Sequence, residues 1–330
     1  MKFENLKPIF IGGHRRSGTT LLSSLLDFHE EILMYPDDSK FFHLFYPLNF
    51  LNKKDSNEKQ EIFIKKNISY LKDILLKKVR IKKEDLSFEL LEKEFRLYSN
   101  KKNEWDDYLN AIMKSFYNQT YQSKKNIRYW AEKTTSSEIY AEDIFKKYKN
   151  AKFIQIIRDP RAIYASLKSG WKKHYKNFKD SESLELLLQS CIDRYGYSTK
   201  LTKNNVIRFG PEKYLVIKYE DLVKNHRETL NKIKLFLGLN YKIKNNPTIY
   251  GKEWRGNNFS HIKFKKINNK RSKAWKNSLT LYERGILDFH FNEFLDSYNY
   301  RNITTIKNQN IAASKHYKWR NFKSDDKADI

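Results

Sequence analysis

Gly13-His14-Arg15-Arg16-Ser17-Gly18-Thr19-Thr20 follows the apolar run Pro8-Ile9-Phe10-Ile11 and precedes Leu21, Leu22, Leu25 and Leu26, which recur at helical spacing. A short apolar run suits a buried parallel strand, and strand, glycine-rich loop and helix in that order make a phosphate-binding unit. Backbone N–H groups at the helix start, with the macrodipole behind them, attract an anion. Nucleoside triphosphatases carry a lysine after the second glycine of such a loop, where it manages the terminal phosphate beside a magnesium ion. Here Thr19 takes that position, and the cations lie inside the loop as Arg15 and Arg16. The loop therefore reads as an anion cradle of P-loop type that is not built for metal-assisted triphosphate cleavage.

Working outward, Ile127 to Ala131 reads as a strand that ends at Glu132-Lys133-Thr134-Thr135. Lys152 to Ile157 is a buried strand ending at Arg158-Asp159-Pro160. Tyr214 to Tyr219 is a third, followed by a helix that closes at Gly238. Strands alternating with helices predict an α/β fold with a parallel sheet covered on both faces. Between about residues 50 and 125 the chain is Lys/Glu-rich, with Ile62, Ile64, Ile68, Leu71, Ile74 and Leu75 at helical spacing, and it reads as a helical insertion. Asn240 to Arg271 is polar and weakly periodic, which predicts a long loop of the kind that serves as a lid. Thr280-Leu281-Tyr282-Glu283 offers a capping box for one more helix. The expectation is a single domain over 1–307 and a polar, frayed tail over 308–330.

The 330 residues carry 65 Lys plus Arg against 39 Asp plus Glu, a formal net charge of +26. Such a charge favours anionic partners without choosing among them. Many lysines alternate with Asn and Ile along the whole chain, as biased base composition would produce, so the local arginines are more informative. A nucleic-acid-recognition motif is absent, and contact with an acidic membrane surface stays open as a peripheral role. One cysteine, Cys191, excludes an internal disulfide framework and suits a reducing compartment. The histidines lack zinc-type spacing, so no metal is expected. Without a membrane-length apolar stretch or a signal-peptide core, the expected location is cytoplasmic.

In an open parallel sheet the ligand site lies beyond the carboxyl ends of the strands, which is where these polar clusters fall. If a helix begins at Pro160, Ser166 lies about two turns in and can face back toward Arg158. An arginine fork plus a hydroxyl would receive a second anion, although an Arg-Asp pair at a helix start is the simpler use of Arg158-Asp159.

Arg15 to Leu22, Glu132 to Thr135, Phe153 to Ser166 and Lys218 to Leu222 together resemble the sulfotransferases that use 3'-phosphoadenosine 5'-phosphosulfate (PAPS), in the branch of tyrosylprotein and bacterial carbohydrate enzymes. The resemblance implies that Arg15, Arg16, Ser17, Gly18, Thr19 and Thr20 bind the phosphosulfate end. Arg16 would meet charge on the bridging oxygen, and Arg158 and Ser166 would hold the 3'-phosphate. Tyr219 would contact the nucleotide, and Ser272 and Lys273 its phosphates, all without magnesium. Lys133 would stabilise the transition state. By the same resemblance Asp38 is the general base, with Asp37 as the alternative, although an Asp-Asp pair also suits a helix N-cap. The acceptor implied is a hydroxyl on a glycan or small alcohol. The rival reading is a P-loop nucleotide kinase, which predicts binding of magnesium-ATP.

Overall fold

A computed structural model of the chain describes residues 3–39, 41–42, 57–85, 87–99, 105–120, 126–174, 181–254, 256, 267, 269 and 272–325. Strand β1 (Lys7–Gly12) is buried from Pro8 onward, and its side chains alternate between two cores. Phe10 faces one core, while Ile9 and Ile11 face the other. The period of two is what a pleated strand imposes. Helix α1 (Thr19–Leu26) follows the loop. Strand β2 (Ile32–Asp38) comes next, a strand that sequence reasoning passed over because Pro36 interrupts it. Proline is tolerated on an edge strand, and β2 pairs only with β3, with a register break between Met34 and Asp38.

The segment read as a helical insertion holds α2 (Asn57–Asp73), a π turn at Ile74–Val79, α3 (Phe88–Ser99) and α4 (Trp105–Thr120). Their apolar faces pack with Phe10, Leu33, Tyr35 and Trp130 on one side of the sheet. Strand β3 (Tyr129–Lys133), a 3-10 turn at Ser137–Tyr140 and helix α5 (Ala141–Lys147) follow. Next come β4 (Lys152–Ile157), α6 (Pro160–His174) and α7 (Ser181–Phe209). Strand β5 (Tyr214–Lys218) completes a five-stranded parallel sheet in the order β2-β3-β1-β4-β5.

The helix expected after β5 is two, α8 (Tyr219–Lys224) and α9 (His226–Leu237), parted at Asn225. Gly238 ends α9 in the left-handed conformation, as its residue type predicts. Helices α1, α8 and α9 cover the second face, over Ile9, Ile11, Ile154, Ile156 and Ile217. Where a long loop was expected from Asn240, a small hairpin of β6 (Thr248–Ile249) and β7 (Lys252–Glu253) forms. Most of 255–271 lies outside the described residues. The capping box on Thr280 and Glu283 starts α10 (Leu281–His290), followed by α11 (Asn292–Ser297).

Within the polar tail expected over 308–330, helix α12 runs from Ile306 to Asp325 and docks on α10, and 326–330 lie outside the described residues. Its contact is built from Ala312, Ala313, Gln309 and His316, all buried. Gly285 of α10 allows the approach, because a Cβ there would stand 3.0 Å from the Ala312 methyl. A face of small and polar residues leaves no apolar stripe, which is why the sequence looked like tail.

Candidate active site

Buried groups shape the loop from beneath. Gly13 N donates to the Glu138 carboxylate at 2.7 Å, Ser136 N donates to the Gly13 carbonyl at 2.9 Å, and Ser17 N donates to the His14 carbonyl at 3.0 Å. The Ser198 hydroxyl donates to the same Glu138, whose pKa burial raises. Gly13 (φ 131°) and Gly18 (φ 109°) both need glycine. A Cβ on Gly13 would fall against the Ile156 carbonyl, and one on Gly18 would stand 2.5 Å from the Tyr219 ring. Arg16, at φ 73°, is left-handed despite its side chain, at a cost of about 1 kcal/mol that the surrounding contacts must offset.

Two arginines from distant segments meet here. Arg158 Nη1 donates to the Arg16 carbonyl at 2.9 Å, and Arg16 Nε donates to Ser166 Oγ at 2.9 Å. The Arg158 guanidinium lies over the Tyr219 ring, 4.2 Å from its centroid. Tyr195 fixes the Arg158 backbone, accepting from its N–H at 3.1 Å and donating to its carbonyl at 2.6 Å. The aspartate that sequence reasoning offered as a partner for Arg158 is occupied elsewhere. Asp159 binds Arg161 at 2.9 Å through both carboxylate oxygens, and Arg161 Nη1 reaches Asp288 at 2.9 Å.

These groups open onto a cavity of about 950 Å³. Of the residues singled out in the sequence, Arg15, Arg16, Gly18, Thr19 and Thr20 line it together with Lys133, Arg158, Ser166 and Tyr219. Ser17 is buried beneath, and its hydroxyl has no hydrogen-bond partner among the described residues. Ser272 and Lys273 are off the wall, which takes Ala274 and Trp275 instead; the Ser272 hydroxyl donates to the Asn269 carbonyl at 2.7 Å. Arg271 and Lys40 lie outside the described residues.

At the end of β2, Asp38 Oδ2 stands 3.2 Å from Lys133 Nζ and 3.4 Å from the Thr135 N–H. Asp37 lines the cavity, with Oδ2 3.1 Å from Lys78 Nζ and Oδ1 accepting from Asp38 N at 2.8 Å. Both aspartates belong to strand β2. Tyr70 of the insertion donates to the Asp38 carbonyl at 2.7 Å. Below them Glu132 accepts from Ser39 Oγ at 2.7 Å and Thr134 Oγ1 at 2.9 Å, and burial raises its carboxyl to about 7.

Sequence reasoning missed Lys78, Glu138, Arg194 and Tyr195. Lys78 is one lysine in a Lys-rich run, and Glu138 follows β3 in a short turn that carries no motif. Arg194 and Tyr195 belong to a 29-residue helix with no sharp apolar face.

A strand–loop–helix unit at the head of a parallel sheet, with arginines in the loop and Arg158 and Ser166 on the wall of the same cavity, has the architecture of a P-loop-type group-transfer enzyme. Residues 8–242 match the sulfotransferase family, and the chain belongs to it. It is a PAPS-dependent sulfotransferase. Among solved structures, the sulfotransferase domain from the Synechococcus PCC 7002 olefin synthase has the same fold, with a TM-score of 0.57 at 20% identity over 90% of this chain and 96% of that one. The sulfotransferase domain from the curacin biosynthetic pathway gives a TM-score of 0.56 at 15% identity over 90% and 98%. No curated protein gives a significant sequence match.

The residues present fit the donor: a cradle that a Cβ would fill at Gly13 or Gly18, a buried Ser17 hydroxyl without a partner, and two joined arginines. Among the described residues no group of three or more His, Cys, Asp or Glu is placed to hold a metal ion.

Proposed function

We propose that the enzyme transfers a sulfuryl group in line from PAPS to a hydroxyl of a carbohydrate or small alcohol, with Asp38 as general base and Asp37 as its alternative. The observation that carries this reading is the Arg16–Ser166 hydrogen bond, which joins the loop to the segment after β4 across 150 residues of chain. Bound there, PAPS supplies an activated sulfuryl group and a phosphate leaving group.

Thr19, Thr20 and the amides at the start of α1 receive the phosphosulfate end, and Arg16 meets charge that gathers on the bridging oxygen. Arg158 and Ser166 hold the 3'-phosphate, and Tyr219 backs the nucleotide. Asp38 takes the acceptor proton. Because its carboxylate faces Lys133, protonation there would weaken the pair and free the Lys133 ammonium for the charge developing in transfer.

Calorimetric titration with 3'-phosphoadenosine 5'-phosphate (PAP) in the presence of EDTA tests the donor site. Binding is expected without metal, whereas a requirement for magnesium with preference for ATP would favour the kinase reading. Turnover of labelled PAPS over a panel of hydroxyl acceptors tests the transfer. Asp38→Asn should lower kcat by about 100-fold or more, the range for a lost general base, with PAP affinity retained. If Asp37→Asn is the variant that does so, the base is Asp37.

A further inference from the structure

The strand order divides the cavity. The donor elements follow β1, β4 and β5, whereas the Asp38–Lys133 and Asp37–Lys78 pairs stand over β2 and β3, on the other side of β1. Those two lysines are each matched by a carboxylate. Two further cations on the wall, Arg15 and Arg194, are not: both are solvent-exposed, and among the described residues neither forms an ion pair.

Arg194 reaches the cavity wall from α7. On α7 it lies one turn before Ser198, on the same helix face, and Ser198 donates to Glu138 in the turn that follows β3. The charges of Arg15 and Arg194 both act on His14, which lies between Gly13 and Arg15 and packs against Tyr195 at 5.2 Å between ring centroids. Burial first, and then those two charges, push the His14 imidazole down to about 4, so it adds no third cation. Arginines that share a cavity wall without a carboxylate partner are a suitable receptor for a phosphate or carboxylate group.

We propose that Arg15 and Arg194 form an acceptor subsite for an anionic group, so that the hydroxyl sulfated belongs to a molecule that also carries a phosphate monoester or a carboxylate. This rests on the sulfotransferase reading and moves Arg15 from the donor to the acceptor.

The test uses PAP-saturated protein, titrated with matched probes: glucose 6-phosphate against glucose, and glucuronate against its methyl ester. The charged member of at least one pair should bind and its neutral counterpart should not. Arg194→Ala should weaken that binding by about tenfold or more and Arg194→Lys by less, as expected for a lost charge-assisted pair, while PAP affinity stays within about twofold of wild type. Equal binding of charged and neutral members, absence of binding by either charged probe at millimolar concentration, or loss of PAP affinity in Arg194→Ala would overturn the proposal. Failure of wild-type protein to bind PAP would instead remove the sulfotransferase reading.

Discussion

Arg158 serves the site through three kinds of contact: its backbone is clamped by Tyr195, its guanidinium is stacked on Tyr219, and one nitrogen holds the Arg16 carbonyl. Arg158→Ala should weaken PAP binding by about 1.5–3 kcal/mol, the range for a hydrogen bond to a charged group, with the fold intact. Unchanged affinity by calorimetry would remove the 3'-phosphate assignment. Glu132 supplies a second prediction. Its carboxyl is raised from 4.5 to about 7 by burial, so between those values the folded chain keeps a proton that the unfolded chain has released. Stability therefore falls as pH rises through that window. His14, lowered to about 4, acts in the opposite sense below its ordinary value, but equally in both proteins compared. Thermal denaturation should place Glu132→Gln above wild type near about pH 8, with the gap closing toward about pH 5. A gap independent of pH would show that Glu132 is ionised in the folded protein. At this scale, positions beside the loop and at strand ends were legible because phosphate chemistry restricts residue types there. Tyr195 and Glu138 were not, since a tyrosine or glutamate that steadies a neighbour's backbone leaves no pattern.

Among the elements, β1, β4 and β5 were readable as continuous apolar runs, and their order in the sheet placed the loop, Arg158 and Tyr219 together. Several elements escaped, the β6–β7 hairpin among them. Strand β2 was hidden by Pro36, which only an edge position permits, and α12 was hidden by a docking face of alanines, Gln309 and His316. The chain between α11 and α12 is tied to the segment after β4 by a hydrogen bond from Arg161 Nη1 to the Arg301 carbonyl at 3.0 Å and by one buried carboxylate. Asp288 pairs with Arg161 and also accepts from Ile303 N, Thr304 N and the Thr304 hydroxyl. Breaking such a pair leaves a buried guanidinium partly uncompensated, so Asp288→Ala should destabilise the protein by about 3–5 kcal/mol in denaturant titration. A loss below about 1 kcal/mol would mean that Asp159 alone compensates the buried Arg161 guanidinium.

In the whole molecule, the hairpin β6–β7 binds regions that are far apart in the chain. Thr248 Oγ1 and Gly251 N donate to Asp27, just after α1, at 2.6 and 2.9 Å. Lys252 Nζ donates to the Val79 carbonyl at 3.0 Å, and the Tyr250 hydroxyl donates to the Thr120 carbonyl at 3.2 Å, both within the helical insertion. Pro247, Thr248 and Ile249 meanwhile form part of the cavity wall. The mouth of the enzyme is thus a keystone arch whose crown and abutments come from separate stretches of polypeptide. Grafting the insertion of a relative onto this scaffold would leave the crown mismatched, so such an exchange preserves this wall only when the hairpin travels with it.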